Sequence, residues 1–172
     1  NKPVSEIWYL INPTTGTNTI TVNFSASSFV EIVAAEFYNV SQINPITLST
    51  SSFGTSSSSS LGTPSIVGTI NFDSFCHWSY TATEGTDQTI VDQITSDGSW
   101  KLSSSRESGN SSSSMAWTLS TSTDWSHCAI TISPNITVGT PDWTDVFYAT
   151  SSGDVVFTGN LSGASGTFNG TI

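Results

Sequence analysis

Both cysteines and both histidines of the chain fall in two nine-residue stretches, FDSFCHWSY at 72–80 and TDWSHCAIT at 123–131. Such residues can hold zinc, run nucleophilic catalysis or close a disulfide. For zinc, the pairs Cys76-His77 and His127-Cys128 are adjacent, whereas structural zinc motifs usually leave two to four residues between paired ligands. Neighbours on an extended strand point to opposite faces, so one ion does not collect both members of a pair. A catalytic cysteine with a histidine base needs a partly exposed, electropositive setting. Cys128 instead shares its strand phase with Ile130 and Ile132, and Cys76 with Ile70 and Phe72, among almost no cations. The favoured reading is a disulfide between Cys76 and Cys128 joining two strands from inside, with two buried free thiols as its alternative. It would close a loop of about fifty residues, for on the order of 4 kcal/mol. His77 and His127 then lie on the outward phase as ordinary surface groups.

No other catalytic or metal constellation stands out. There is no Gly-x-Ser-x-Gly, no nucleotide-binding loop and no HExxH, and Asp, Asn and Gly are not arranged as a calcium loop. Carboxylate pairs such as Glu31 and Glu36 lack any spacing that singles them out. The expectation is therefore no catalytic residue, no metal and no cofactor. Asn-X-Ser/Thr triplets start at Asn23, Asn39, Asn110, Asn135, Asn160 and Asn169 and are candidate N-glycan sites. Of the 6 tryptophans, Trp8 and Trp117 sit in apolar strand patterns and read as core. Trp100, Trp125 and Trp143 neighbour Ser, Asp or Lys, so a sugar-stacking platform is the alternative use for them.

The elements that must position these residues are strands. Roughly a third of the chain is Ser or Thr, only 9% is charged, and the net charge is −10. That balance lacks the clustered cations that nucleic acid or an anionic membrane surface requires. Few lysines and glutamates leave little for solvent-facing helices, while Thr, Val and Ile suit a pleated surface. No apolar run approaches the twenty or so residues of a membrane span, and no signal peptide is visible. A chain opening on Asn1 is expected to start after processing or to be a fragment.

Along the chain, residues 6–11 form an apolar run and residues 19–24 alternate, with Ile20, Val22 and Phe24 on one face. Residues 29–40 fit helix or strand, and the β-rich context favours strand. The serine-rich stretch 50–62 reads as a flexible loop. Further strands are expected within 65–80 and near 89–94, 100–102, 115–119 and 127–132. Short ones at 146–149, 155–158 and 167–172 form a C-terminal meander. The total is about nine to eleven short strands, an all-β, two-sheet antiparallel β-sandwich or jelly roll.

The stretches EIWYLINPTTGTNTITVNF (6–24), YNVSQINP (38–45), TEGTDQ (83–88), MAWTLSTSTDW (115–125) and AITISP (129–134) resemble a β-sandwich module of secreted bacterial, archaeal and viral surface and structural proteins. The resemblance covers about residues 5–134. It carries no active site. It implies a sandwich core over 1–134 and C-terminal strands over 135–172. Such modules open with several strands before the IWYLINP-like segment, where this chain has only a few residues, and they end near AITISP, where this chain runs on. The expectation is that residues 146–172 complete the sandwich or are donated to a neighbouring subunit. The function so implied is a non-enzymatic extracellular glycoprotein at a cell surface, self-assembling into a homopolymer: a filament, a surface layer or a virion appendage. The alternative is a carbohydrate-binding or adhesin module.

Overall fold

The computed structural model describes residues 2–24, 30–78, 80–94 and 100–135, and the backbone of 147–149 and 155–157. The chain is all-β, and every strand pairing among the described residues is antiparallel. Eight strands are described. They are β1 (Ile46–Gly62), β2 (Ile70–Trp78), β3 (Ala82–Glu84), β4 (Thr89–Gln93), β5 (Trp100–Ser108), β6 (Ser114–Ile132), β7 (Phe147–Ala149) and β8 (Val155–Phe157). The first six make one sheet in the order β1-β6-β2-β5-β4, with β3 added to β6. β7 and β8 form a separate two-stranded sheet. The chain divides into two units, Asn1–Asn135 and Ile136–Ile172.

The serine-rich stretch is a strand, not a loop. β1 runs 17 residues through the whole serine run and pairs with β6 along its length. A run of small hydroxylated residues has little propensity of its own. Here the ladder to β6 supplies the order, and that partner lies far away in sequence. β6 likewise joins two expected strands into one of 19 residues. Its outer side carries β3 at residues 117–119 and β2 at 125–132.

β6 cannot be straight. Trp117 is ten residues from His127, about 33 Å along an extended strand. Yet the Trp117 ring stacks on Phe75, whose register partner is His127, with centroids 5.7 Å apart. The strand therefore folds back between its two halves. β1 follows it, with a register break between Ser56 and Ser58 that leaves residues 119–122 of β6 out of the ladder at the bend. Gly54 precedes this point. A Cβ there would lie 2.9 Å from Cζ2 of Trp125, so only glycine lets the indole close over β1.

The core gathers on the odd-numbered face of β2 and β6. Phe75, Ala82, Trp117, Leu119 and Trp125 form one cluster, and Leu61, Met115 and Ala129 a second. Burying a large aromatic side chain contributes roughly 4–6 kcal/mol before entropy is counted.

Several expected strands are absent as strands. Residues 6–11, 19–24 and 30–39 carry no strand ladder among the described residues, and Val40 makes only an isolated bridge to Pro134. Two parts of this segment lie against the even-numbered face. Ser5 donates to the Ser74 carbonyl at 2.8 Å, and Phe37 meets Phe72 edge to face at 5.4 Å. Between them Trp8, Leu10 and Ile20 are exposed. Trp8, expected in the core, is thus on the surface, with no strand paired alongside it among the described residues. The expected strand at 167–172 lies outside the described residues.

Candidate functional site

The most organised chemistry of the chain is a buried polar network centred on Asp73. β2 is a central strand between β5 and β6, and its side chains are buried on both faces, so their polar atoms must find partners inside. Asp73 finds four. Its Oδ1 accepts from the Ser105 amide at 2.7 Å and the Ser105 hydroxyl at 2.8 Å. Its Oδ2 accepts from Trp117 Nε1 at 2.7 Å and faces His127 Nε2 at 3.0 Å. His127 Nδ1 meets Ser59 Oγ at 2.9 Å. With the proton on Nε2 facing the carboxylate, Nδ1 is left to accept from the Ser59 hydroxyl. Gln88 extends the network, donating to Ser105 Oγ at 2.6 Å and accepting from the Ala116 amide at 2.7 Å.

Carboxylate, imidazole and hydroxyl in a row is the hydrogen-bonding order of an activated serine. Here Asp73 and His127 are 0% exposed and Ser59 is 5% exposed. The depression lined by Ile70, Asp87, Thr89, Arg106, Glu107 and Ser108 includes no member of the row. What the arrangement accomplishes is a junction, because its residues come from β1, β2, β5 and both halves of β6. Phe75 fills the centre of the same space. It stacks on His77 and Trp117 and meets His127 at 73°.

The phase expected from the cysteines is therefore inverted. The histidines face the core, at 1% and 0% exposure, and are not surface groups. Cys76 and Cys128 lie on the opposite face and are free thiols, so the expected disulfide is not formed. Register explains this. Cys76 is opposite Ser126 and Cys128 is opposite Ser74, a diagonal offset on adjacent strands. Diagonal neighbours stand about 7–8 Å apart, beyond the reach of a disulfide. The sequence did hold a signal for the correct phase: each histidine sits two residues after a large aromatic, Phe75 or Trp125, and so shares its face.

Burial pushes the Cys76 thiol up to about 11, with Glu31 adding to the rise. Burial also raises Cys128, partly offset by its hydrogen-bond contact with Ser5. His77 is lowered, chiefly by burial. Cys76 and His77 point to opposite faces of β2, as do His127 and Cys128 on β6. Among the described residues no three His, Cys, Asp or Glu side chains converge as a metal site.

Of the three tryptophans considered for a sugar platform, two are described. Trp125 is buried at 8% exposure, with its Nε1 donating to Ser56 Oγ. Trp100 meets Trp78 edge to face at 4.8 Å, and Trp143 lies outside the described residues. Asn23, Asn39, Asn110 and Asn135 are exposed. Asn39 and Asn135 are neighbours, the Asn135 amide donating to the Asn39 carbonyl at 2.6 Å. Asn160 and Asn169 lie outside the described residues.

The second distinctive feature is an open edge. Among the described residues β1 pairs only with β6, so about half of its amides and carbonyls face away from the sheet. β1 contains no charged residue and no proline. The opposite edge strand, β4, is 5 residues long, carries Asp92 and has a register shift beside it. Those are the devices by which proteins blunt a sheet edge.

No protein-family model, curated protein or solved structure matches the chain.

Proposed function

We propose that this chain is a structural subunit of an extracellular assembly, joined to its neighbours through β-strand edges and without an enzymatic role. The carrying observation is β1: 17 residues long, uncharged, and paired on one side only among the described residues. An edge of this kind is a template for a strand from another chain. In this reading the described sheet is one β-sandwich, its second layer formed where the first half of β6 folds over β2. The low charge, the abundant Ser and Thr and the exposed sequons at Asn23, Asn39, Asn110 and Asn135 fit a glycosylated subunit of a filament, surface layer or virion appendage.

Electron microscopy of the full chain at rising concentration tests this. Fibres or ordered sheets are the expected result. A monodisperse monomer at every concentration, with and without glycan, overturns it.

A further inference from the structure

Residues 7–24 are the most exposed apolar segment described. Trp8 is 87%, Leu10 78%, Ile20 73%, Tyr9 61% and Phe24 53% exposed. Together these side chains present apolar surface on the order of several hundred Å², near the ~800 Å² that each partner buries in a stable interface. The segment has strand patterning without a ladder: Ile20, Val22 and Phe24 on one face, Thr19, Thr21 and Asn23 on the other. Ahead of it, a turn is closed on itself by Asn18, whose Nδ2 donates to the Thr14 carbonyl at 2.7 Å and the Gly16 carbonyl at 3.1 Å. Residues 19–24 thus follow a preformed turn with strand patterning but no ladder among the described residues.

We infer that this arm is the donated strand, pairing residues 19–24 along the free side of β1 in a second copy of the chain. This rests on the edge-assembly reading above and names both halves of the joint. Charge selects the partner. The chain carries −10, so two copies repel, yet neither residues 7–24 nor β1 has a single charged side chain. Joining the two brings no like charges opposite each other.

Direction selects a second copy over the chain's own edge. Lys2 Nζ lies 5.4 Å from the centre of the Phe53 ring, on β1. Three residues on, Ser5 reaches Ser74 and Cys128, on β2 and β6. The arm therefore leaves across the sheet away from the β1 edge, and its return is anchored on β2 by Phe37 against Phe72. Donor arm and acceptor edge are different surfaces of one molecule, the arm tied to the sheet at Ser5 and Phe37 on the β2 side. Such a head-to-tail contact propagates as a filament wherever its rotation does not close a ring.

The test uses two full-length variants, Ile20→Lys with Val22→Lys to disable the arm, and Ser49→Lys with Ser51→Lys to disable the edge. All four positions are exposed or on the strand rim, and an unchanged circular dichroism spectrum checks folding. Each variant alone is expected to sediment as a monomer where wild type polymerises. Their equimolar mixture is expected to give dimers that grow no further, since only one good arm and one good edge remain. A photocrosslinker at Trp8 gives a second reading, with intermolecular products mapping to β1. If wild type polymerises and the arm variant does so equally, or if crosslinks map to residues 147–157, the donor assignment is overturned while edge assembly stands. If wild type never associates, both fall.

Discussion

The inner side of β2 and the outer side of β1 solve the same problem in opposite ways. Around Asp73 the chain brings four donors to one carboxylate, from strands far apart in sequence. Along β1 a row of backbone groups of the same chemistry has no partner among the described residues. A buried polar group must be satisfied within the fold, whereas an edge at the surface is held by water until a strand replaces it. The first region fixes how the sheet folds. The second leaves it open to extension.

The largest expected effect comes from breaking the first region. Asp73→Ala removes the shared acceptor and strands the donors of Trp117, His127 and Ser105 in the core. It should cost about 3–5 kcal/mol in urea unfolding of the full chain. Assembly should fail with it, through loss of the fold. Gly54→Ala pushes a methyl group into the Trp125 indole at the bend and should cost about 1–3 kcal/mol, with a shift in tryptophan fluorescence. Ser59→Ala removes only the hydroxyl at His127 Nδ1 and should cost about 1–2 kcal/mol.

Protonation sharpens the contrast between the two faces. His77 is held below its ordinary value, so its contribution to stability is present above about pH 6.5 and is lost as pH falls through the lowered value. Cys76 is held above its ordinary value, so its contribution is present below about pH 9 and is lost as pH rises toward 11. Denaturation midpoints across pH 4–11 should therefore decline at both ends. Both thiols should also alkylate slowly at pH 8 until the chain unfolds. The smallest effect on stability belongs to the open edge. Ser49→Lys with Ser51→Lys should change the unfolding midpoint by less than about 0.5 kcal/mol, yet abolish polymers.

The sequence made the class of fold legible. Alternation located β2, β4 and the two halves of β6, and composition excluded helices as the main elements. It misled where local pattern and tertiary pairing part company. Residues 56–60 are five serines with no periodicity, and only the distant β6 makes them a strand. Residues 19–24 alternate cleanly and form no ladder among the described residues, because alternation specifies a strand's faces but not its neighbour. The cysteine phase was chosen from Ile70, Ile130 and Ile132. On β2 both faces are buried, so apolar residues on one face say little about the other. The Asp73 network depended on four strands meeting, and no spacing within a single segment announces that.

Hydrogen exchange of the full chain, resolved by residue and followed before and after assembly, tests the central claim most directly. The account predicts that β6 amides are protected in both states, while alternate β1 amides exchange freely in the monomer and become protected as polymers form. Outward β1 amides already protected in the monomer, or left unprotected in the polymer, would contradict it.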